Sequence, residues 1–512
     1  MPFELKAKKI STNSQEPLKK DSIVHQKVSV VSLNMNGTDN RAKHMSTTPV
    51  YKKHQFTFLV LLFHVVFMIL YGIFGRFTPN ALPGGDESKE YVNSKYPLYQ
   101  DVHVMIFIGF GFLMVFLRRY GFASVSINML LACFTIEWGI LVRGFTSEEF
   151  LKDKVFTISI DQILTADFAA AVVLITMGSL LGKLSPAQYL IMAFLEVPAA
   201  LITEHFIVHG LHVNDVGGSI IVHAFGAYFG LAASRVLYRK YWDNHEHAGS
   251  IYHSDLMSMV GALFLWVYWP SFNAVVAEPE DARQRAIINT LLSLVACTLT
   301  TFLVSQLVNK HRHFDMVHIA NSTLAGGVAI GTTANVVLNP VHALLVGTVA
   351  GALSVVGYEY ITPWLDHKLQ IQDTCGVNNL HGMPGVLAGL FGVFFAVWYD
   401  PARYGASLNT IYPAFKPYDK LEDPTVGGRT AIDQALFQLA GVGLSVGVAI
   451  VTGAITGLIL RLPFWNQVRE KELYSDGDYF HVPDDYDFTT RVTSNIDHVE
   501  LTETHETTKL TS

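Results

Sequence analysis

Long apolar segments separated by short polar ones occupy most of the chain from residue 56 onward. A helix that crosses a bilayer needs about 20 predominantly apolar residues, and twelve segments approach or exceed that length. They are residues 56–74, 102–119, 122–144, 163–183, 188–209, 216–238, 255–273, 286–308, 317–335, 341–361, 379–400 and 432–460. The pattern predicts an all-α polytopic membrane protein with 12 transmembrane helices, and an even number of crossings leaves both termini on one side.

The predicted helices repeat in groups of five along the chain. The matched pairs are Asp101 with Asp255, Met105 with Met259, and Pro186 with Pro340, each separated by 154 residues. A unit with an odd number of crossings reverses its orientation when it is repeated, which is the architecture of many transport proteins that bind at the membrane midplane. The sequence therefore predicts an inverted five-helix repeat with one extra N-terminal span and one long C-terminal span.

One motif occurs in both halves of this repeat. Asp215 to His223 reads DVGGSIIVH and Asp373 to His381 reads DTCGVNNLH, so both copies have the form D-x-x-G-x-x-x-x-H, 158 residues apart. Each His follows its Asp by about 12 Å along a helix that rises 1.5 Å per residue. Helices that enter from opposite faces of a core about 30 Å thick can bring the two rings together near its centre. Ionisable side chains at that depth are costly and therefore indicate a functional site.

Two buried imidazole rings can serve a small polar molecule. A neutral ring has one donor and one acceptor nitrogen, so a bonded pair still presents one group from each ring. The alternative is two core histidines bonded to backbone carbonyls, which explains a single His better than a repeated pair. The chain has no HExxH or GxSxG motif, so we expect neither an enzyme nor a metal site or cofactor.

Composition and charge agree with a membrane protein that has polar tails. Charged residues make up 15% of the chain, against about 25% in soluble domains, and the net charge of −7 argues against nucleic acid as a partner. Residues 1–55 hold ten Lys/Arg and four Asp/Glu, which places the N-terminus in the cytosol by the positive-inside rule. We expect a basic flexible tail at 1–55, a twelve-span domain at 56–462, and an acidic, solvated cytosolic tail at 463–512.

Five segments carry a resemblance to a known family. They are DVGGSIIVHAFGAYFG from Asp215, FLWVYWPSFN from Phe264, DMVHIANSTLAGG from Asp315, IQDTCGVNNLHGMPG from Ile371 and RLPFW from Arg461. Through them, residues 54–465 resemble the ammonium transporter, methylammonium permease and Rhesus family, and within it the animal Rhesus branch. The resemblance implies a plasma-membrane homotrimer in which each protomer recruits ammonium, deprotonates it and conducts ammonia through an apolar pore.

The resemblance also implies roles for individual residues. His223 and His381 would be the twin histidines of the pore, and Phe168 and Phe272 the rings that narrow its outer entrance. Asp215 matches a buried acid beside the outer mouth, although a helix cap is an alternative role. The residues that match vestibule acids, which would concentrate a cation, are Glu204 on the outer side and Asp255, Asp315 and Asp366 on the inner side.

Departures from the family pattern leave several alternatives open. No Trp lies between Tyr189 and Asp215, where bacterial and plant ammonium transporters place one to bind the cation, and this absence fits the Rhesus branch. A channel for CO₂ or mixed gases and a non-conducting structural Rhesus-type scaffold remain as alternatives. The transported species can be NH₃, NH₄⁺, or NH₃ with a relayed proton, and the acidic tail can dock a cytosolic partner.

Overall fold

The computed structural model describes residues 50–84 and 89–483, and within these residues ten helices are long and apolar enough to cross a membrane. We number them in chain order together with the other helices of the bundle. They are α1 Gln55–Phe74, α2 Lys95–Phe116, α3 Gly121–Thr146, α4 Ile160–Ser179, α5 Pro186–Gly210, α6 Ser219–Leu237, α7 Tyr252–Ala274, α8 Glu280–Val308, α9 Met316–Ser322, α10 Ala325–Gly331, α11 Pro340–Leu369, α12 Asn378–Trp398 and α13 Ala431–Leu460. The predicted helical membrane fold is thus present.

Short elements fill the connections between these helices. Two strands, β1 Gly75–Phe77 and β2 Phe156–Ile158, form a parallel pair, which ties the segment after α1 to the segment before α4. The short helices are Val50–Lys53, Pro79–Ala81, Glu148–Asp153, Lys240–Trp242, Glu246–Ala248, Pro401–Ser407, Leu408–Ile411, Tyr418–Lys420 and Glu470–Glu472, and α2 continues a helix that begins at Lys89.

Burial divides the long helices into inner and outer ones. Helix α6 is 72% buried inside the protein, whereas α1 is only 11% buried. Leu, Val, Ile and Phe side chains cover most of α1 and remain exposed there, as expected for a helix whose surroundings are lipid. The helix that carries His223 is therefore central, and α1 lies at the periphery of the bundle.

Two of the twelve predicted spans differ from the prediction in the described residues. The segment 255–273 lies in α7, a continuous helix of 23 residues. Its Trp, Tyr, Ser and Asn side chains lower its mean hydropathy, so α7 is not one of the ten long apolar helices. The segment 317–335 is divided into α9 and α10, of seven residues each. The ten long apolar helices are thus two fewer than the sequence predicts.

A cysteine side chain satisfies the backbone at the break between α9 and α10. The Cys297 thiol on α8 donates to the carbonyl of Ser322 at 2.9 Å and accepts from the N–H of Gly326 at 3.1 Å. The Ser293 hydroxyl, also on α8, donates to the Gly326 carbonyl at 2.7 Å. Backbone groups freed by a break at membrane depth need such partners, because lipid offers none.

The segment 463–483 packs against the bundle, which corrects the expectation of a solvated tail beginning at residue 463. Its Leu473 is fully buried, and the backbone N–H of Tyr474 donates to the Gly182 carbonyl at 3.1 Å. The carboxylate of Asp476 accepts from the backbone N–H groups of Phe122 and Ala123 at 2.9 and 2.8 Å. A count of charges along the sequence could not reveal that one acid meets the exposed N–H groups of a helix start. Residues 1–49 and 484–512 lie outside the described residues.

Replacing Asp476 with Ala should lower the stability of the inner end of α3. Loss of a carboxylate that caps a helix costs about 0.5–2 kcal/mol, so the unfolding temperature in detergent should fall. Asp478 is exposed, and Asp478→Ala is the matched control, which should unfold like the wild type. Equal melting temperatures for Asp476→Ala and Asp478→Ala would contradict the capping role.

Candidate functional site

The two copies of the repeated motif fold in the same way. Gly218 and Gly376 both adopt the left-handed backbone conformation, with φ of +65° and +71°, which other residues rarely adopt. A Cβ at Gly376 would also overlap the Tyr358 ring. Each glycine turns the chain directly before the helix that carries the His. The fixed glycine of the motif is therefore required by the backbone.

The Asp of each copy binds the start of the same helix. Asp215 accepts from the backbone N–H groups of Ile220 and Ile221 at 2.9 and 3.0 Å, and its other oxygen accepts from the Thr332 hydroxyl at 2.5 Å. Asp373 accepts from two backbone N–H groups at the start of α12, both at 2.9 Å. Since an acid at this position satisfies the first N–H groups of a helix, both carboxylates act as caps that fix where the His-bearing turns begin.

The two histidines meet inside the bundle. His223 and His381 are buried, their Nδ1 atoms lie 3.1 Å apart, and their ring planes are inclined by only 7°. Each ring lies in a π-helical turn, Ser219–Ala224 or Asn378–Gly382, a feature often found at functional sites. One Nδ1 must donate and the other accept, so the two neutral rings have opposite tautomers and one Nε2 is a donor while the other is an acceptor. The Nε2 of His223 has no hydrogen-bond partner in the part of the chain that the structure describes.

Aromatic rings surround the histidine pair. The centroids of Phe168 and Phe272 lie 4.7 Å apart, and Phe272 lies 5.6 Å from the His223 ring. Trp269 also lies 5.6 Å from His223, and Phe110 lies 6.1 Å from His381. Neither Trp269 nor Phe110 was predicted from the sequence. The position of Trp269, three residues before Phe272 on one face of α7, could have revealed it, whereas Phe110 comes from α2 and only the packing of helices brings it here.

Two cavities lie against the two copies of the motif, one at each copy. One has a volume of 440 Å³ and includes Phe168, Phe272, Asp215 and Glu204 in its lining; we call it the outer cavity. A smaller one of 150 Å³ lies at the start of α12, with Asp373 in its lining; we call it the inner cavity. The phenyl rings thus form one end of the outer cavity, and the His pair follows behind them.

The four vestibule acids expected from the sequence have different surroundings. Glu204 lines the outer cavity and forms a two-contact ion pair with Arg143, at 3.1 and 2.7 Å. Asp255 lines the inner cavity. Asp315 caps α9 by accepting from a backbone N–H, and neither Asp315 nor Asp366 belongs to the lining of the inner cavity. No sequence signal indicated Arg143, because its partner is on another helix.

Comparisons with known proteins agree with this geometry. The sequence profile of the Ammonium Transporter Family matches residues 57–478. The chain is 44% identical over 434 residues to the ammonium transporter Rh type B-A of Xenopus laevis, covering 83% of this chain and 92% of that protein. It is 42% identical over 434 residues to the human ammonium transporter Rh type C, covering 83% and 89%. The solved structure of Nitrosomonas europaea Rh50, from the Rhesus protein family of channels, aligns with a TM-score of 0.65 and 33% identity over 80% of this chain and 98% of that one.

Replacing Gly218 or Gly376 with Ala should disturb the His pair. Ala at a positive φ destabilises a protein by about 1 kcal/mol or more, and the turn can relax only by moving the His-bearing helix. We expect a lower unfolding temperature for both variants, with Gly376→Ala affected more because of the Tyr358 ring. Gly447→Ala on α13 is the control, since a Cβ there meets nothing within 4 Å. Unchanged melting of both motif variants would contradict this interpretation.

Proposed function

The chain belongs to the Ammonium Transporter Family, and we propose that it is a transmembrane channel for ammonia and ammonium that performs no enzymatic reaction. It recruits ammonium at the outer cavity, deprotonates it there and conducts NH₃ past the histidines. The observation that carries this proposal is the buried His223–His381 pair, 3.1 Å between Nδ1 atoms, behind the rings of Phe168 and Phe272. A purely structural scaffold has no need for two neutral rings at this depth.

The chemistry of the pair matches ammonia. NH₃ has three N–H donors and one lone pair, and the two rings offer one Nε2 acceptor and one Nε2 donor. An ion in the centre of a bilayer costs about 2.5–3.5 kcal/mol even on the most permissive scale. Loss of the proton before the phenyl rings removes most of that cost. The species that crosses is therefore NH₃, and the proton returns to the outer solution.

The remaining site residues support this passage. Asp215 positions His223, because it holds the first turn of α6. Asp255 contributes negative charge at the inner cavity and raises the local concentration of a cation. Glu204 does so at the outer cavity only in part, because Arg143 offsets its charge. Asp315 and Asp366 act on the inner side at longer range, since they do not line the inner cavity.

The membrane arrangement completes the proposal. The chain crosses the plasma membrane twelve times, with α7 as one crossing and α9 and α10 together as another, in an inverted five-helix repeat with one extra N-terminal span and one long C-terminal span. Both termini are cytosolic. The acidic residues after 483 offer a docking segment for a cytosolic partner, because the carboxylate of Asp476 is already engaged with α3.

Replacing His223 or His381 with Ala should abolish most ammonia conduction. Loss of one buried hydrogen-bonding group costs about 1–3 kcal/mol, and each 1.36 kcal/mol is about tenfold in rate, so uptake should fall about tenfold or more. The measurement is ammonia uptake with simultaneous current recording in voltage-clamped membranes. His313→Ala, in an exposed connection, is the control and should conduct like the wild type.

Three outcomes of these measurements, extended to CO₂ uptake, would oppose the proposal. If both His variants took up ammonia like the wild type at equal surface expression, the pore would not pass through this site. A current of one charge per ammonia molecule that disappears in the His variants would show that a proton crosses with ammonia. Uptake of CO₂ without uptake of ammonia would favour the gas-channel alternative.

The protein should assemble as a homotrimer with one pore in each protomer. Native mass spectrometry of the purified protein should give about three times the protomer mass of 56.7 kDa. The pore lies within one chain, because both histidines and both phenyl rings come from the same protomer. A stable monomer or dimer as the only species would contradict the trimer.

A further inference from the structure

The deprotonation proposed above requires a base at the outer cavity, and this inference rests on that function. A useful base has a pKa near the working pH, whereas ordinary carboxyl groups have pKa values of about 4. The carboxylates among the described residues of this lining are also engaged. Glu204 pairs with Arg143, Asp215 accepts three hydrogen bonds, and Glu278 pairs with Lys95 at 3.3 Å.

Two histidines in the same lining, His209 and His212, have the appropriate chemistry, since an unperturbed imidazole has a pKa of about 6.5. His209 differs from His212 because it lines a second cavity as well. That cavity has a volume of 700 Å³, is bounded by the ends of α3 and α5 and the start of α4, and contains Glu148 and Asp161 in its lining; we call it the side cavity. His209 is exposed, so water reaches its ring.

The ion pair that separates the two cavities explains why a base is useful at the position of His209. Arg143 lines the side cavity and Glu204 lines the outer cavity, so their ion pair stands between them. A cation between the two cavities would meet the positive guanidinium group of Arg143. A proton can cross from one cavity to the other when the His209 ring carries it. His209 therefore contacts both the outer cavity and the side cavity.

We propose that His209 is the base that accepts the proton of ammonium, and that the side cavity is the exit for that proton. An N–H bond of ammonium breaks, its electron pair stays on nitrogen to give NH₃, and the proton binds the unprotonated ring nitrogen of His209. The imidazolium then releases the proton to water in the side cavity, directly or through His205, whose ring centroid lies 5.0 Å away. His209 returns to the neutral form and NH₃ continues past Phe168 and Phe272.

Charged and titratable groups of both signs surround His209. Glu204 and His205 face it from its own helix, Arg143 faces it from α3, and His212 faces it from the segment after α5. The charges of Glu204 and Arg143 oppose one another at 2.7 Å. Glu148, Glu149 and Asp161 line the side cavity and attract the released proton.

The test is chemical rescue of the full-length channel in proteoliposomes. Initial ammonia uptake is measured for wild type and His209→Gln at outer pH 7.5, in weak buffer and with added imidazole outside. We expect uptake by His209→Gln to fall several-fold in weak buffer and to be restored by imidazole. His313→Gln, in an exposed connection that lines neither cavity, is the control and should behave like wild type with and without imidazole.

The outcomes separate this inference from the channel itself. Uptake by His209→Gln equal to wild type at pH 7.5 in weak buffer would show that water or another group is the base. A loss that imidazole does not restore would show that His209 has only a structural role. A wild-type protein that moves no ammonia would instead overturn the proposed function.

Discussion

Two imidazole rings buried in a membrane protein each need a hydrogen-bond partner, and in this protein each ring is the partner of the other. A contact of 3.1 Å between Nδ1 atoms tolerates little displacement, because hydrogen bonds weaken steeply with distance and angle. The starts of α6 and α12 must therefore be fixed. Gly218 and Gly376 fix the direction of the chain, and the two Asp carboxylates fix the first helical turn.

The same constraint explains why so much of the interior consists of interrupted helices. The His-bearing turns begin inside the bundle, and opposite them the chain breaks between α9 and α10. Each interruption exposes backbone N–H and C=O groups that lipid cannot satisfy. Side chains of neighbouring helices take their place: Asp215 and Asp373 at the two motif copies, and Ser293 and Cys297 at the break.

The charged groups of the outer cavity are arranged differently from the interior, because they form ion pairs. A vestibule that bound ammonium tightly would delay its release, whereas Arg143 and Lys95 offset the charges of Glu204 and Glu278. The electrostatic attraction for cations is therefore moderate. The absence of a Trp before Asp215 has the same consequence, so under the proposed function this cavity would favour deprotonation and passage over retention of the cation.

Much of this site could be predicted from the sequence, because it depends on a repeated local motif. The spacing from Asp to Gly to His determines one turn and one helix start. A second copy of the motif 158 residues later therefore implies a pair of imidazole rings. Phe168 and Phe272 followed from the family resemblance. Asp315 and Asp366 followed from the same resemblance, but the structure leaves them outside the lining of the inner cavity, since motif matching gives a residue's position along the chain and not the direction of its side chain.

The sequence by itself determined the helical membrane fold and the central histidine pair, because the length of an apolar segment and a repeated local turn can be read along the chain. The tertiary structure alone decided the pairing of Arg143 with Glu204, the contact of Phe110 with His381 and the cap that Asp476 places on α3. These contacts join residues 61, 271 and about 350 positions apart. Their formation depends on which helix faces meet when the bundle packs, and no local pattern encodes that choice.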